Sequence, residues 1–264
     1  MPELPDVETF RRYLAATSLH KKIKAVNIRS RAILEGAASA SQLKKGLKGK
    51  HFETTRRHGK YLGALLDSRR CLVMHFGMTG LLKYFMKREK DPPNERLLIS
   101  FTNGYHLAYD CQRKLGHVTL VASFDQYVEE KGLGPDALAS DLDFNTFKKA
   151  VVGRRASIKS VLMNQKVIAG IGNVYADEIL FQAKIYPKIR GDQLPDKALK
   201  SLFAARRNVL QTAVNHQANP EEFPRSYITR GRGSNGKCPK CQRQLLKTPV
   251  SGRTAYYCGH CQKA

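Results

Sequence analysis

The chain has 264 residues, which is enough for one large domain or for two smaller domains with their own cores. It contains 46 Lys and Arg against 22 Asp and Glu, a formal net charge of +24, and this excess indicates a polyanionic partner such as nucleic acid. The sequence has no run of about 18 apolar residues, and its start, MPELPDVETF, lacks the features of a secretory signal. Composition therefore argues against membrane and secreted proteins and predicts an intracellular one.

The first part of the chain is predicted to be one helix followed by strands. Val7, Phe10 and Leu14 recur with helical spacing after Pro5, which predicts a helix over residues 5–16. Between residues 22 and 122, short segments alternate apolar and polar side chains and are separated by turn residues, which predicts an antiparallel β-rich domain. The segments are KAVNIRS, YLGALLD, CLVMHF, LLISF, HLAYD and HVTLVA.

The second part is predicted to be helical. Residues 129–141 hold two glycines and a proline without clear periodicity, so an interdomain connection is expected near residue 130. Helical spacing follows in three segments that have Asp, Asn or Pro near their starts, namely residues 143–165, 173–183 and 195–217. Residues 219–237 are rich in Gly, Pro and Arg and predict a flexible basic loop.

Four of the six cysteines form two CxxC pairs near the end of the sequence, namely Cys238, Cys241, Cys258 and Cys261. Two such pairs on a hairpin can place four thiolates around one tetrahedral metal ion, which predicts one structural Zn²⁺. Two disulfides are the alternative, and they fit poorly with an intracellular protein. Cys71 and Cys111 are expected to be buried free thiols.

Three weaker signals each have an ordinary alternative. Gly-Ile-Gly followed by Asn173 is typical of a phosphate-binding helix start, but also of a plain turn between helices. Arg253 on the cysteine hairpin can hold phosphate with a forked geometry, or can be an exposed strand residue. Removal of Met1 would make Pro2 a nucleophilic secondary amine with Glu3 as its acid or base, although a frayed chain start is the simpler interpretation.

Four motifs, taken together and in order, resemble those of the bacterial formamidopyrimidine-DNA glycosylase and endonuclease VIII family. They are PELPDVE at the start, HGKYL followed by HFGMTG, QKVIAGIGNVYADE, and the cysteine hairpin with GRTAYYC. The resemblance runs over the whole chain and implies an α+β fold in three parts. These are an N-terminal helix with an antiparallel β-sandwich in a catalytic domain (1–130), a helical helix-two-turn-helix domain (131–235), and a β-hairpin zinc finger (236–264).

The resemblance also implies roles for individual residues. Pro2 matches the family's nucleophile and Glu3 its partner acid or base, while Lys60 matches a lysine that contacts phosphate near the lesion. Asn173 and Arg253 match the two residues that clamp the backbone around a flipped nucleotide. These matches turn three weak local signals into one predicted site.

A second group of residues is implied to act on the base pair. Met78 matches the methionine that enters the gap left by the extruded base, with a packed strand residue as the alternative. Arg113 resembles the arginine that faces the orphaned partner base. This segment departs from the family pattern, because Cys111 stands in place of Asp and Leu115 in place of Phe. An aliphatic side chain can still separate base steps but stacks less well, so opposite-base preference is expected to change.

The implied activity is base-excision repair by a DNA glycosylase with AP lyase activity. The enzyme would form a Schiff base through its N-terminal proline and cleave the strand by β- and δ-elimination. Its partner would be double-stranded DNA with damaged bases or abasic sites, bound by a monomer in the bacterial cytoplasm. Two alternatives stay open: the same chemistry retargeted to bulky adducts or crosslinks, and a non-catalytic damaged-DNA-binding protein. Loss of Pro2 or Glu3 would favour the latter, and both are present.

The basic loop before the cysteine hairpin is short for a family member that folds a long loop over 8-oxoguanine. We therefore expect 8-oxoguanine to be excised more slowly than a formamidopyrimidine, by about tenfold for each ~1.4 kcal/mol of missing contact free energy. Single-turnover excision from otherwise identical duplexes measures the ratio. Equally fast removal of 8-oxoguanine opposite cytosine would show the expectation to be wrong.

Overall fold

The computed structural model describes residues 1–36, 39–86, 92–233 and 235–263. The chain divides into two compact units: the first holds Met1–Pro2 and Asp6–Lys131, and the second holds Glu3–Pro5 and Gly132–Ala264. Three residues from the start of the chain therefore belong to the second unit. Over the described ranges, none of the helices combines the length and the apolar character that a bilayer crossing needs.

The first unit is built around an antiparallel β-sandwich. Its helices are α1 (Leu4–Ser18), of which the first two residues belong to the second unit, α2 (Ala40–Leu47) and α3 (Phe124–Glu130). Its strands are β1 (Ile23–Ile28), β2 (Phe52–His58), β3 (Tyr61–Leu66), β4 (Cys71–His75), β5 (Gly80–Phe85), β6 (Glu95–Phe101), β7 (His106–Cys111) and β8 (His117–Val121). One sheet has the order β2-β3-β4-β8 and the other β1-β6-β7-β5. The apolar faces of both sheets share one core.

The predicted β-sandwich with an N-terminal helix is confirmed, and all six predicted segments contain strands. Two strands were not predicted, β2 and β5, and each lies at the edge of its sheet. In β2 only Phe52 and Thr55 are buried, so the strand lacks the regular alternation that a half-buried strand shows. Edge strands commonly carry such polar side chains because one of their sides faces water.

The second unit is helical and ends in a hairpin. Its helices are α4 (Phe144–Val152), α5 (Ile158–Met163), α6 (Asn173–Gln182) and α7 (Asp196–Asn215), and its strands are β9 (Leu246–Val250) and β10 (Arg253–Tyr257). The helical fold is confirmed, but the continuous helical segment over residues 143–165 is not. The chain breaks after α4, and the N–H of Ile158 at the start of α5 bonds instead to the carbonyl of Ile189 at 2.7 Å. The three-part domain division stays a prediction.

Gly170 makes room for the start of the chain within the second unit. Gly170 has φ +113°, a conformation that side chains rarely adopt, and its carbonyl accepts the N–H of Leu4 at 3.0 Å. A Cβ added to Gly170 would lie 2.5 Å from Cδ1 of Leu4, which is fully buried. Only glycine therefore allows this approach of Leu4.

We expect Gly170→Ala to lower the free energy of unfolding by about 2 to 4 kcal/mol, because the backbone becomes strained and Leu4 must move. Gly153→Ala is the matched control, since Gly153 has φ −66° and a Cβ there would meet nothing closer than 3.4 Å. Urea unfolding followed by circular dichroism compares the two variants. Equal shifts of the midpoint would contradict the proposed role of Gly170.

Candidate functional site

The carboxylate of Glu3 is buried against the first turn of α6. It accepts the N–H groups of Gly172 at 2.7 Å, Val174 at 2.9 Å and Tyr175 at 3.3 Å. These are donors that a helix start leaves unsatisfied, and the helix dipole favours a negative charge at the same place. A Cβ on Gly172 would lie 2.3 Å from Cδ of Glu3, so the turn is shaped around this carboxylate.

This arrangement changes the interpretation of the Gly-Ile-Gly segment. The sequence predicts that its amides face a phosphate, whereas the structure gives the amides of Gly172, Val174 and Tyr175 to Glu3. Asn173 begins α6 as predicted, and its Nδ2 donates to the carbonyl of Thr254 at 3.2 Å. Its Oδ1 is buried without a hydrogen-bond partner in the described part of the chain.

A buried ion cluster attaches the hairpin to α6. Asp177 accepts the ammonium of Lys159 at 2.5 Å and the guanidinium of Arg232 at 3.0 and 3.2 Å. The same carboxylate accepts the backbone N–H of Tyr256 on β10 at 3.1 Å. The side chains of Asp177 and Lys159 are both completely shielded from solvent. Because these charges have left water, each depends on its partner being in place.

The backbone of Arg253 is held by the pairing of β10 with β9 and by the bonds of its neighbours to α6. Asn173 and Asp177 are four residues apart on one face of α6. Asn173 bonds to Thr254 on β10, and Asp177 bonds to Tyr256, two residues further along the same face of the strand. Lys159 also donates to the carbonyl of Thr254 at 3.3 Å. Arg253 directly precedes this stretch and is exposed. The second unit thus brings Glu3, Asn173 and the Arg253 strand to one end of α6.

The four predicted cysteines come together at the base of the hairpin. The Sγ atoms lie 3.8 Å apart for Cys238 and Cys261 and 3.5 Å apart for Cys241 and Cys258, and all four lie within 4.8 Å of one another. Tetrahedral zinc–thiolate bonds of ~2.3 Å place sulfurs ~3.8 Å apart, so the cluster fits such an ion. The group can hold a metal ion.

In the first unit, the strand register gathers several loops at one end of a sheet. Tyr61 pairs with His75, and His75 pairs with His117, so β3 and β8 begin where β4 ends. The ring centroids lie 4.9 Å apart in both Tyr61–His75 and His75–His117. The loops that carry Lys60, Met78 and Arg113 leave the sheet at this end.

Lys60 lies in the turn between β2 and β3 and is only 7% exposed. The turn is supported by Arg57, whose guanidinium donates to the carbonyl of Gly59 at 3.2 Å and pairs with Glu8 at 3.2 Å. Burial lowers the pKa of His75 to about 4, with the charges of His117 and Lys60 acting in the same direction. The neutral ring accepts the N–H of Gly77 at 3.3 Å and so fixes the loop before Met78.

The remaining predicted side chains project from two adjacent loops. Met78 is 40% exposed and Leu115 is 52% exposed, which goes against the alternative that Met78 is a packed strand residue. The N–H of Arg113 donates to Oγ1 of Thr79 at 3.1 Å and joins the two loops. Two exposed apolar side chains and an exposed arginine therefore share one end of the first unit.

Sequence reasoning missed Asp177, Lys159 and Arg232. One signal was available, because Lys159 is the only charged residue in the apolar segment of α5, IKSVLM. A buried lysine requires an acidic partner, and that would have prompted a search for Asp177.

Pro2 is half-buried and directly precedes Glu3.

Two family models match the chain. The model described as formamidopyrimidine-DNA glycosylase N-terminal domain matches residues 1–118. The model described as formamidopyrimidine-DNA glycosylase H2TH domain matches residues 133–223. Together they cover most of both units.

Relatives and solved structures agree with these matches. The chain is 32% identical to formamidopyrimidine-DNA glycosylase of Heliobacterium modesticaldum over 280 residues, with all of both chains covered, and 31% identical to that of Bacillus subtilis, with 99% of each covered. A complex of Lactococcus lactis Fpg with DNA containing an abasic site matches with a TM-score of 0.89 and 29% identity, covering 99% of this chain and all of that one. A complex of the same protein with FAPY-dG-containing DNA matches with a TM-score of 0.88 and 28% identity at the same coverage. The chain belongs to the formamidopyrimidine-DNA glycosylase family.

Proposed function

We propose that this chain removes damaged bases from duplex DNA and then cleaves the strand, with Pro2 as nucleophile. The observation that carries the proposal is the burial of the Glu3 carboxylate against the start of α6, because this fixes the residue next to Pro2. A nucleophile needs a fixed position relative to the bond that it attacks. An N-terminal residue gains such a position only if its neighbour is anchored.

The proposed reaction proceeds through a covalent intermediate. The nitrogen of Pro2 attacks C1′ of the sugar, and the glycosidic bond breaks as the base leaves with its electron pair and takes up a proton. Opening of the sugar ring gives an iminium ion, which acidifies the C2′ proton. Loss of that proton expels the 3′ phosphate in β-elimination, and a second elimination expels the 5′ phosphate. Glu3 is the proposed acid and base.

The proposed DNA contacts divide by chemistry. Lys60, Asn173 and Arg253 would bind backbone phosphates, which position the DNA without selecting its sequence. Met78 and Arg113 would occupy the gap that a flipped nucleotide leaves. The net charge of +24 supports a polyanionic partner, and the matched Lactococcus lactis proteins were solved as DNA complexes. We infer that the chain acts as a monomer in the bacterial cytoplasm.

For the cysteine cluster we propose one zinc ion with a structural role. Four thiolates satisfy tetrahedral zinc and leave no position for water, so the ion would hold the hairpin rather than take part in the reaction. Residues Cys238, Cys241, Cys258 and Cys261 would be its ligands. The spacing of their sulfur atoms supports this choice.

For the substrate we propose ring-opened or otherwise oxidised purines. Retargeting to bulky adducts stays the second candidate, because one matched structure is a complex with DNA containing N7-benzyl-Fapy-dG, at a TM-score of 0.89 and 29% identity. A binding protein without turnover is less favoured, since Pro2 and Glu3 are both present.

We expect borohydride to trap the processed protein covalently on DNA with an abasic site, because reduction fixes the iminium ion at C1′. Two variants test this: Pro2→Gly and a chain with an extra residue before Pro2. Each should lower the rate of trapping by about 100-fold, which corresponds to ~2.7 kcal/mol of transition-state stabilisation. Gel electrophoresis under denaturing conditions measures the adduct.

Pro220→Gly is the control, because Pro220 lies in a short exposed turn of the second unit and should leave trapping unchanged. No adduct from pure wild-type protein that binds the same DNA would refute covalent catalysis. An adduct that persists in the extended chain would exclude the N-terminal amine as nucleophile.

We expect Asp177→Asn to cost about 3 to 5 kcal/mol of folding free energy, because the buried ammonium of Lys159 loses its counter-charge. Cleavage of the DNA strand should also slow, since β10, which carries Arg253, loses the bond from Tyr256 to α6. Chemical unfolding and cleavage of abasic-site DNA provide the two measurements.

Asp192→Asn is the matched control, because Asp192 pairs with Arg190 at the surface. It should leave both measurements close to the wild-type values. If both variants behaved alike, the buried cluster would not be what supports the hairpin.

A further inference from the structure

We propose a second metal site, in the first unit, formed by His20, His51 and Glu53 and suited to a divalent transition-metal ion such as zinc. Each side chain offers one ligand atom, and these atoms lie within 4.8 Å of one another. The cysteine cluster belongs to the second unit, so the two sets of ligands are separate in the chain. The proposal does not depend on the proposed DNA chemistry.

Local sequence places two of the three ligands side by side. His51 and Glu53 flank Phe52 at the start of β2, and successive residues of an extended chain point to opposite faces. Phe52 is fully buried in the core of the first unit. His51 and Glu53 therefore project together toward solvent, and Nε2 of His51 is hydrogen-bonded to Oε1 of Glu53.

The third ligand is held against the same strand by the backbone. His20 follows α1 and has φ +59°, in the left-handed region. Its N–H donates to the carbonyl of Phe52 at 2.8 Å. Its Nδ1 lies 3.6 Å from Oε2 of Glu53. The backbone positions of all three ligands are thus set around a single buried residue, Phe52.

Asp67 supplies the outer partner that metal-binding histidines usually have. Its Oδ2 lies 3.3 Å from Nδ1 of His51, and its N–H donates to the carbonyl of His51 at 3.1 Å. A carboxylate on one ring nitrogen orients the imidazole and leaves the other nitrogen for the metal. In His51 that other nitrogen is Nε2, which already faces Glu53.

The ligand set identifies the class of metal. Two imidazoles and one carboxylate are a common zinc set, and the remaining position can take water. Zinc bonds of ~2.1 Å require ligand atoms about 3.4 Å apart, so the hydrogen-bonded side chains of His51 and Glu53 must move apart to admit the ion. His20 is 66% exposed and Glu53 46% exposed, which leaves both free to rotate.

The ion pairs of the two carboxylates at the cluster also point to a cation site. In a chain of net charge +24, Lys and Arg outnumber Asp and Glu, so many basic side chains are available to pair with each acidic one. Glu53 and Asp67 nevertheless take their ion-pair partners from histidine rings among the described residues. A bound ion would link the end of α1, the start of β2 and the turn after β3, and would stabilise the first unit.

The test is a zinc titration of the full chain already carrying one equivalent of zinc. Isothermal titration calorimetry should show one further equivalent in the wild type and none in His51→Ala or Glu53→Gln. His20→Asn should also abolish it, and asparagine tolerates the left-handed backbone, so the variant should fold. Asp67→Asn should weaken the second site by about 10- to 100-fold without removing it.

His216→Ala is the control, because His216 lies 3.8 Å from Glu222 at the surface of the second unit and belongs to none of the possible metal-binding groups among the described residues. It should keep the second equivalent. Circular dichroism confirms that each variant is folded, and added zinc should raise the melting temperature of the wild type but not of His51→Ala. A wild-type chain that binds only one zinc ion, or a His51→Ala chain that binds two, would overturn the proposal.

Discussion

The hydrogen bonds between the Glu3 carboxylate and the first turn of α6 are the interaction on which the candidate active site depends. They connect residues that are up to 172 positions apart, and they satisfy backbone donors that would otherwise be buried without partners. Gly172 leaves room for the carboxylate, and Gly170 leaves room for Leu4 beside it. An N-terminus frays unless something ties it down, and here the tie lies one residue after Pro2.

Helix α6 also fixes the other half of the second unit's site. Its first turn holds Glu3, Asn173 reaches the carbonyl of Thr254, and Asp177 reaches the N–H of Tyr256. The hairpin is thus held by the buried cluster at Asp177, which bonds to Tyr256, and by the cysteines that flank its two strands. Arg253 begins β10, and its backbone is positioned by pairing with Val250 and by the bonds of Thr254 and Tyr256 to α6. Its guanidinium is exposed, and we propose that it binds a phosphate.

Much of the fold was predictable from the sequence, and the failures have physical causes. Alternating segments revealed the strands that are buried on one face, but β2 carries too many polar side chains to show alternation, and β5 is a mostly apolar run with one charged residue, Lys83. The CxxC spacing was sufficient for the cysteine cluster, because the ligands are local in sequence. The destination of the Glu3 carboxylate was not predictable, since its partners are backbone amides, which have no sequence signature. The sequence predicts a helix start at Asn173 with an anion beside it, and the structure shows that this anion is the carboxylate of Glu3.

The distribution of charge explains why this protein can be strongly basic and still have a precise site. A net charge of +24 attracts DNA from any direction and selects no geometry. Geometry comes from buried carboxylates such as Glu3, which caps α6, Asp177, which binds Lys159 and Arg232, and Glu178, which accepts the N–H and hydroxyl of Thr229 at 2.8 and 2.6 Å. Their burial keeps these negative charges away from the phosphates that the surface attracts. The basic residues would therefore provide affinity, while the buried acids determine where the reactive groups stand.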